Sequence, residues 1–303
     1  MKLGILLIAL LLAACAPSQE SDKLQVVATT GMVGDLAKNI GGEFVEVKAL
    51  MGPGVDPHLY KASEGDVQTL SEADLIFYSG LHLEAKMGDV LEEMGERAVP
   101  VTRTLPREEL LDFPPFENQY DPHVWFNVHY WRQAAQVVLD ELVLRDPTHA
   151  DSYRQNAETY FKQLDELDAS VHSKAETLPP EQRILVTAHD AFRYFGREYG
   201  FQVIGLQGIS TQAEAGTRDV QELVNFIVSK KIKAIFVESS VPERNLKAVQ
   251  EASRAQGWDV QIGGQLYSDA MGDAGTFEGT YIGMVTANID TIVGALGDEN
   301  ASG

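Results

Sequence analysis

The sequence predicts an α/β protein in which two lobes, each with a parallel sheet flanked by helices, are bridged by one long α-helix. Two observations lead to this fold class. Short apolar runs rich in β-branched residues alternate with helical patterns in both halves of the 303-residue chain, as in parallel sheets with crossover helices. Between the halves, residues 152–178 contain neither glycine nor proline and carry a helical apolar stripe. That stretch indicates one continuous helix of about 40 Å.

The first half carries four apolar runs of strand character. They lie at residues 24–30, 44–51, 73–78 and 98–102. Helical patterns are found at residues 35–40, 83–95 and 127–145. Residues 105–121 contain three prolines and several acids, which is typical of a loop.

The second half repeats the alternation after Pro179 and Pro180 end the long helix. Its strands are expected at residues 184–187, 201–206, 234–237 and 260–263. Its helices are expected at residues 192–199, 218–230, 244–256 and 280–296. We therefore predict an N-terminal lobe at 24–147, a bridging helix at 148–179 and a C-terminal lobe at 180–303.

The N-terminus has the pattern of a secretory signal. Lys2 precedes an apolar run at residues 3–12, which is too short to span a bilayer comfortably. The run ends in Leu-Ala-Ala-Cys, which resembles the bacterial lipobox. Cys15 is the only cysteine of the chain. Attachment of a lipid to its thiol would explain why the single cysteine lies at this position. We predict a signal peptide at 1–14 and a lipidated tether at 15–23; the alternative is an ordinary signal peptide with an incidental cysteine.

Composition excludes several other classes. The formal charge of −21 argues against nucleic-acid binding, which requires lysine and arginine stripes along the phosphates. It is compatible with cationic ligands, although it mainly favours solubility. With Cys15 lipidated, neither a disulfide nor a thiolate metal site is possible, so stability must come from a hydrophobic core. A monomer is expected.

Three of the seven histidines lie in contexts that would hold them rigidly. His58 and His123 each end an Asp-Pro-His tripeptide, at 56–58 and 121–123, where proline stiffens the turn. His189 follows the strand at 184–187, and open α/β sheets place ligands at the carboxyl ends of strands. Any one of these could be a structural histidine, but together they favour a metal site.

Asp269 is the candidate fourth ligand. It lies just after the strand at 260–263. Three imidazoles and one carboxylate suit zinc, with manganese possible, whereas calcium and magnesium prefer all-oxygen shells. His58 and His123 belong to the first lobe, and His189 and Asp269 to the second. The sequence therefore predicts a metal site in the cleft between the lobes.

The chain resembles the TroA-like zinc/manganese solute-binding lipoproteins of bacterial ABC importers. Besides the stretches around the four candidate ligands, four segments carry the resemblance, and it covers about residues 24–297. They are residues 80–84 (GLHLE), 207–211 (QGIST), 234–238 (AIFVE) and 279–281 (GTY). The resemblance implies two α/β lobes bridged by a long helix, with the metal buried between them.

The resemblance also implies a function. An extracytoplasmic lipoprotein, anchored to the bacterial membrane in the periplasm or at the cell surface, would capture Zn²⁺ or Mn²⁺. It would deliver the ion to a metal ABC permease and its ATPase, without being an enzyme. The implied ligands are His58, His123, His189 and Asp269; His82 matches a position close to the site but is not counted as a ligand.

Two departures from the family pattern bear on metal identity. The loop between the first two ligands has no His-rich tract, which many dedicated zinc members carry. Manganese-preferring members typically have glutamate where this chain has His189, so the imidazole favours zinc over manganese. The unbroken bridging helix predicts limited hinge motion.

Two other functions remain open at this stage. A metal-dependent hydrolase could use the three histidines and Asp269, with Glu214 or Asp190 as the general base, although four protein ligands would leave no open coordination position. A surface adhesin is the other alternative, and no feature of the sequence supports it separately.

Overall fold

The computed structural model describes residues 23–114 and 119–297 of the chain. Its first half contains a parallel four-stranded sheet in the order β2-β1-β3-β4. The strands are β1 (Leu24–Ala28), β2 (Val45–Ala49), β3 (Leu75–Tyr78) and β4 (Ala98–Pro100). The predicted signal peptide and Cys15 lie outside the described residues.

The second half repeats this topology in a second parallel sheet with the order β6-β5-β7-β8. Its strands are β5 (Ile184–His189), β6 (Gln202–Gln207), β7 (Ala234–Glu238) and β8 (Gln261–Leu266). In each sheet the second strand in the chain pairs with one edge of the first strand, and the third strand pairs with its other edge. Such a reversal opens a crevice at the carboxyl ends of the strands, where α/β proteins bind ligands.

The described chain contains nine α-helices. They are α1 (Gly31–Gly41), α2 (Glu64–Glu72), α3 (Gly88–Glu93), α4 (Val128–Arg145), α5 (Ala150–Glu176), α6 (Arg193–Tyr199), α7 (Thr217–Lys230), α8 (Arg244–Ala255) and α9 (Tyr281–Leu296). Within the described residues, no helix is long and apolar enough to cross a membrane.

The bridging helix is α5, with 27 residues. One stripe of its side chains is buried, with successive members three or four residues apart, as a single helix face requires. The stripe consists of Tyr153, Ala157, Tyr160, Leu164, Leu167, Val171 and Ala175. It packs against α1 and α4 from the first half and against α9 from the second. The predicted fold class is confirmed, whereas the lobe limits at residues 147 and 180 stay a prediction.

One hydrophobic core continues beneath both halves. It includes Val26 and Leu36 from the first half, Leu164 from α5, and Phe236 and Ile289 from the second half. Each half also has one smaller hydrophobic cluster of its own, which includes side chains of its sheet. Because the halves share apolar packing along α5, separating them would expose core side chains to water.

Some predicted helix limits were wrong. The pattern at 83–95 gives only α3, because a 3-10 turn precedes it at residues 85–87 and Gly95, with φ of 58°, leaves the right-handed region behind it. Helix α2 was not predicted from the sequence; it begins with a capping box between Ser63 and Asp66. In α1, Thr30 caps the helix by accepting a 3.4 Å hydrogen bond from the amide of Val33.

Candidate metal centre

The four candidate ligands meet between the carboxyl ends of the two sheets. His58 lies in the loop after β2, and His123 lies between β4 and α4. His189 is the last residue of β5, and Asp269 follows β8 by three residues. All four side chains are buried, with residue exposures of 2 % or less. Each half of the molecule therefore contributes two side chains to one enclosed site.

The donor atoms of these side chains converge on one point. The Nε2 atoms of His58 and His123 are 3.3 Å apart, and those of His123 and His189 are 3.4 Å apart. Asp269 Oδ1 lies 3.3 Å from His123 Nε2, and Asp269 Oδ2 lies 3.2 Å from His189 Nε2. Ligand atoms about 2.1 Å from a tetrahedral ion are themselves about 3.4 Å apart. The spacing fits a small divalent cation.

The carboxylate of Asp269 gives the clearest indication that the site binds a cation. Both of its carboxylate oxygens are buried and lack a hydrogen-bond partner among the described residues. A buried carboxylate without donors is costly unless a positive charge compensates it. The candidates for that charge are the protonated imidazoles around it or a bound metal ion.

The Asp-Pro-His repeat has a local structural cause. The Asp56 carboxylate accepts a hydrogen bond from the backbone amide of His58 (2.9 Å), and Asp121 accepts one from the amide of His123 (3.1 Å). An aspartate that bonds two residues ahead closes a local turn, and the intervening proline fixes φ within it. The tripeptide therefore builds the same histidine-presenting turn twice.

Buried carboxylates orient two of the imidazoles. Asp121 Oδ1 lies 2.7 Å from His123 Nδ1, and Glu238 Oε2 lies 2.5 Å from His189 Nδ1. Glu238 Oε1 also accepts from the amide of His189 (2.9 Å). In the neutral ring, with Nδ1 donating to a carboxylate, Nε2 is the acceptor that faces the site, which is the tautomer a metal requires. The orienting roles of Asp121 and Glu238 were missed from the sequence.

Neighbouring carboxylates raise the pKa of two of the imidazoles. Burial alone would lower the pKa of His123, but Asp121 and Asp269 raise it to about 9. Burial opposes protonation of His189 too, yet Glu238 and Asp269 hold its pKa well above the usual value. Burial lowers the pKa of His58 to about 3, so this ring stays neutral.

Asp269 shows the matching shift. Burial would raise its pKa, but the charges of His189 and His123 hold it well below the usual carboxyl value. Asp269 is therefore ionised at neutral pH. A divalent cation entering the site would replace imidazolium protons as the partner of this carboxylate.

His82 does not join the converging side chains. It is exposed and has a positive φ of 64°, beside Leu81 with φ of 53°. The neighbouring Glu84 is buried and accepts hydrogen bonds from Thr29 Oγ1 (2.7 Å) and the amide of Ser79 (2.7 Å). The loop that resembles the family thus contributes a buried carboxylate next to β1 rather than a ligand.

Sequence comparison with known proteins assigns the chain to a family. Residues 26–295 match the family described as “ZnuA: Zinc-uptake complex component A periplasmic”. The chain belongs to this family. Members of the ZnuA family are solute-binding proteins of metal importers, so the hydrolase alternative is not supported. Of the two bases considered for it, Glu214 is exposed, pairs with Arg244 at 3.2 Å and is not among the converging side chains.

Two curated relatives of the ZnuA family are more than half identical to the chain. The zinc-binding protein TroA of Treponema pallidum is 54% identical over 273 residues, covering 89% of this chain and 88% of its own. The manganese-binding lipoprotein MntA of Bacillus subtilis is 51% identical over 284 residues, covering 93% of this chain and 92% of its own.

A solved structure has the same fold. The periplasmic zinc-binding protein TroA from Treponema pallidum superposes with a TM-score of 0.89 at 54% identity, covering 91% of this chain and all of that one. The similarity therefore extends through both sheets and the bridging helix.

Proposed function

We propose that this protein captures Zn²⁺, or alternatively Mn²⁺, outside the cytoplasm and delivers it to an ABC-type importer. His58, His123, His189 and Asp269 would be the ligands. The observation that carries the proposal is the convergence of four buried donors around Asp269, whose two oxygens have no other hydrogen-bond partner in the described chain. Family membership supplies the transport context.

The donor set favours zinc over manganese. Three imidazoles and one carboxylate match the borderline-soft character of zinc, whereas manganese prefers oxygen donors. The two curated relatives are named for different metals, zinc for TroA and manganese for MntA. Manganese is therefore the second candidate, and His189 is the residue on which the preference depends.

We propose that the protein acts as a monomer held at the membrane by a lipid on Cys15. The cysteine follows an apolar signal and precedes a polar tether, and a single acylated end gives an anchor rather than a membrane span. The relative MntA is named a lipoprotein, which supports this anchoring. The permease and the ATPase of the importer would be the partners.

A competition titration tests the function. Metal-stripped wild type, His189→Glu and the control His129→Ala are titrated with zinc and manganese. His129 is exposed on α4 and is not among the converging side chains, so its removal should change nothing. We expect tight zinc binding by wild type and control. In His189→Glu the carboxylate should weaken zinc relative to manganese by at least tenfold.

The outcomes are distinct. A wild-type protein that binds neither metal tightly would contradict the proposed function. Unchanged relative affinities in His189→Glu would leave metal capture in place but refute the role of His189 in selectivity.

A further inference from the structure

A second group of side chains of the types that bind metals lies outside the cleft, where α5 meets α6. Asp168 and His172 are four residues apart on α5 and therefore share one face of the helix. Glu198 on α6 faces them. One donor atom from each of the three residues lies within 4.8 Å of the other two. His172 lies between the two carboxylates.

The distances within this group leave room for an ion. His172 Nε2 is 3.8 Å from Asp168 Oδ2 and 3.6 Å from Glu198 Oε1. Both distances are too long for a hydrogen bond. They are close to the separation of about 3.4 Å between two donors that share a metal at about 2.1 Å. His172 therefore lies close to both carboxylates without a hydrogen bond to either.

Neighbouring groups hold the carboxylates in this orientation. Tyr199 donates its hydroxyl to Asp168 Oδ1 (2.8 Å), and Asn127 donates its side-chain amide to Glu198 Oε2 (2.7 Å). Each bond engages one carboxylate oxygen, and the other oxygen of the same carboxylate is the one near His172. Metal-binding carboxylates are oriented by outer hydrogen bonds of this kind.

The charge of the group is not balanced by the protein. Within residues 23–114 and 119–297, neither Asp168 nor Glu198 forms an ion pair with a lysine or an arginine, and His172 is the basic side chain between them. The side chains of the three residues are 32–40 % exposed, so an ion can enter from solvent. Two converging carboxylates repel each other unless a cation lies between them.

We propose that Asp168, His172 and Glu198 form a second divalent-cation site with one nitrogen and two oxygen donors. Zn²⁺ is the best match for this mixed set, with water completing the coordination shell. The site joins the bridging helix to α6 of the second half. Through Asn127, the N-cap of α4, it also contacts the first half. A bound ion would therefore tie three segments of the fold together, namely α5, α6 and the start of α4.

Zinc stoichiometry tests this site. Stripped protein is dialysed against micromolar free zinc, and the bound metal is measured by atomic emission. We expect two zinc ions per chain for wild type and one for both His172→Ala and the shape-conserving Asp168→Asn. The matched control is His149→Ala, which removes the N-cap histidine of α5, paired with a single carboxylate, Asp146, at 2.6 Å. It should retain two.

A second arm separates this site from the cleft. The variant His123→Ala/Asp269→Ala should bind one zinc ion, and adding His172→Ala should abolish that binding. If wild type and His172→Ala bind equal amounts, the second site is refuted while capture in the cleft stands. If wild type and His123→Ala/Asp269→Ala bind equal amounts, the proposed cargo site fails instead. Thermal unfolding of each metal-free variant verifies that the protein is folded.

Discussion

Replacing Asp121 by asparagine should change how many protons leave when zinc binds. Asp121 Oδ1 lies 2.7 Å from His123 Nδ1 and, with Asp269, raises the pKa of His123 to about 9 against the effect of burial. An asparagine oxygen can accept the same hydrogen bond, so the ring should keep its orientation. The negative charge that stabilises the imidazolium would be lost.

The magnitude follows from the protonation of the metal-free site. With a pKa of about 9, His123 is about 99 % protonated at pH 7. His189, whose pKa is also well above normal, carries a second proton, whereas His58, with a pKa of about 3, carries none. A ligating imidazole must be neutral, so zinc should displace about two protons from wild type and about one from Asp121→Asn. Apparent affinity should then rise about 100-fold per pH unit near neutrality in wild type, but about tenfold in the variant.

Calorimetry in two buffers measures this number directly. Zinc is titrated at pH 7, at less than one equivalent, in buffers with different ionisation enthalpies, and the difference in heat gives the protons released. The matched control is Asp146→Asn, because Asp146 pairs with His149 at 2.6 Å outside the cleft. Equal proton release in wild type and Asp121→Asn, or fewer than one proton from wild type, would refute this reasoning.

Three further outcomes are expected. Burial raises the pKa of Asp35 to about 6, so the folded state takes up a proton as pH falls. From pH 7 to pH 4, wild type should therefore gain about 2 kcal/mol of unfolding free energy relative to Asp35→Asn. Denaturant titration at both pH values measures the gain, and a constant difference would contradict it. Leu164→Ala removes a fully buried side chain of α5 and should lower the unfolding free energy by about 2–5 kcal/mol in the same assay. A loss under about 1 kcal/mol would show that the core around Leu164 is loosely packed. X-ray scattering of metal-free and zinc-loaded protein should give nearly the same radius of gyration, and a large compaction would refute the limited hinge motion.

The convergence of the four cleft residues could be predicted because each has a local signature. The repeated Asp-Pro-His tripeptide fixes two turns, and His189 and Asp269 lie at or just after strand ends. The carboxyl ends of parallel strands share one edge of their sheet, so residues at those ends are brought together by topology alone. A single sequence is sufficient for this inference.

Glu238 could not be assigned its orienting role in the same way. It lies 49 residues after His189 and reaches it because β5 and β7 are neighbours in the sheet. Many glutamates end strands without such a partner, so the contact depends on pairing that the sequence does not specify locally. The group of Asp168, His172 and Glu198 escaped notice for the same reason, since the angle at which α6 packs on α5 decides whether the three meet.

The contacts around the cleft bear on how cargo is released. Trp125, two residues after His123, donates its indole N–H to the carbonyl of Ser268 (3.0 Å), next to Asp269. Thr211 of the second half donates to Asp56 of the first (2.6 Å), two residues before His58. Each of these bonds crosses between the halves beside a proposed ligand, and the common core along α5 joins the halves beneath them. Wide opening would break all of these contacts at once, whereas a partner that displaces one short turn would remove a ligand and leave the core intact. Local displacement of an Asp-Pro-His turn is therefore the less costly route to release.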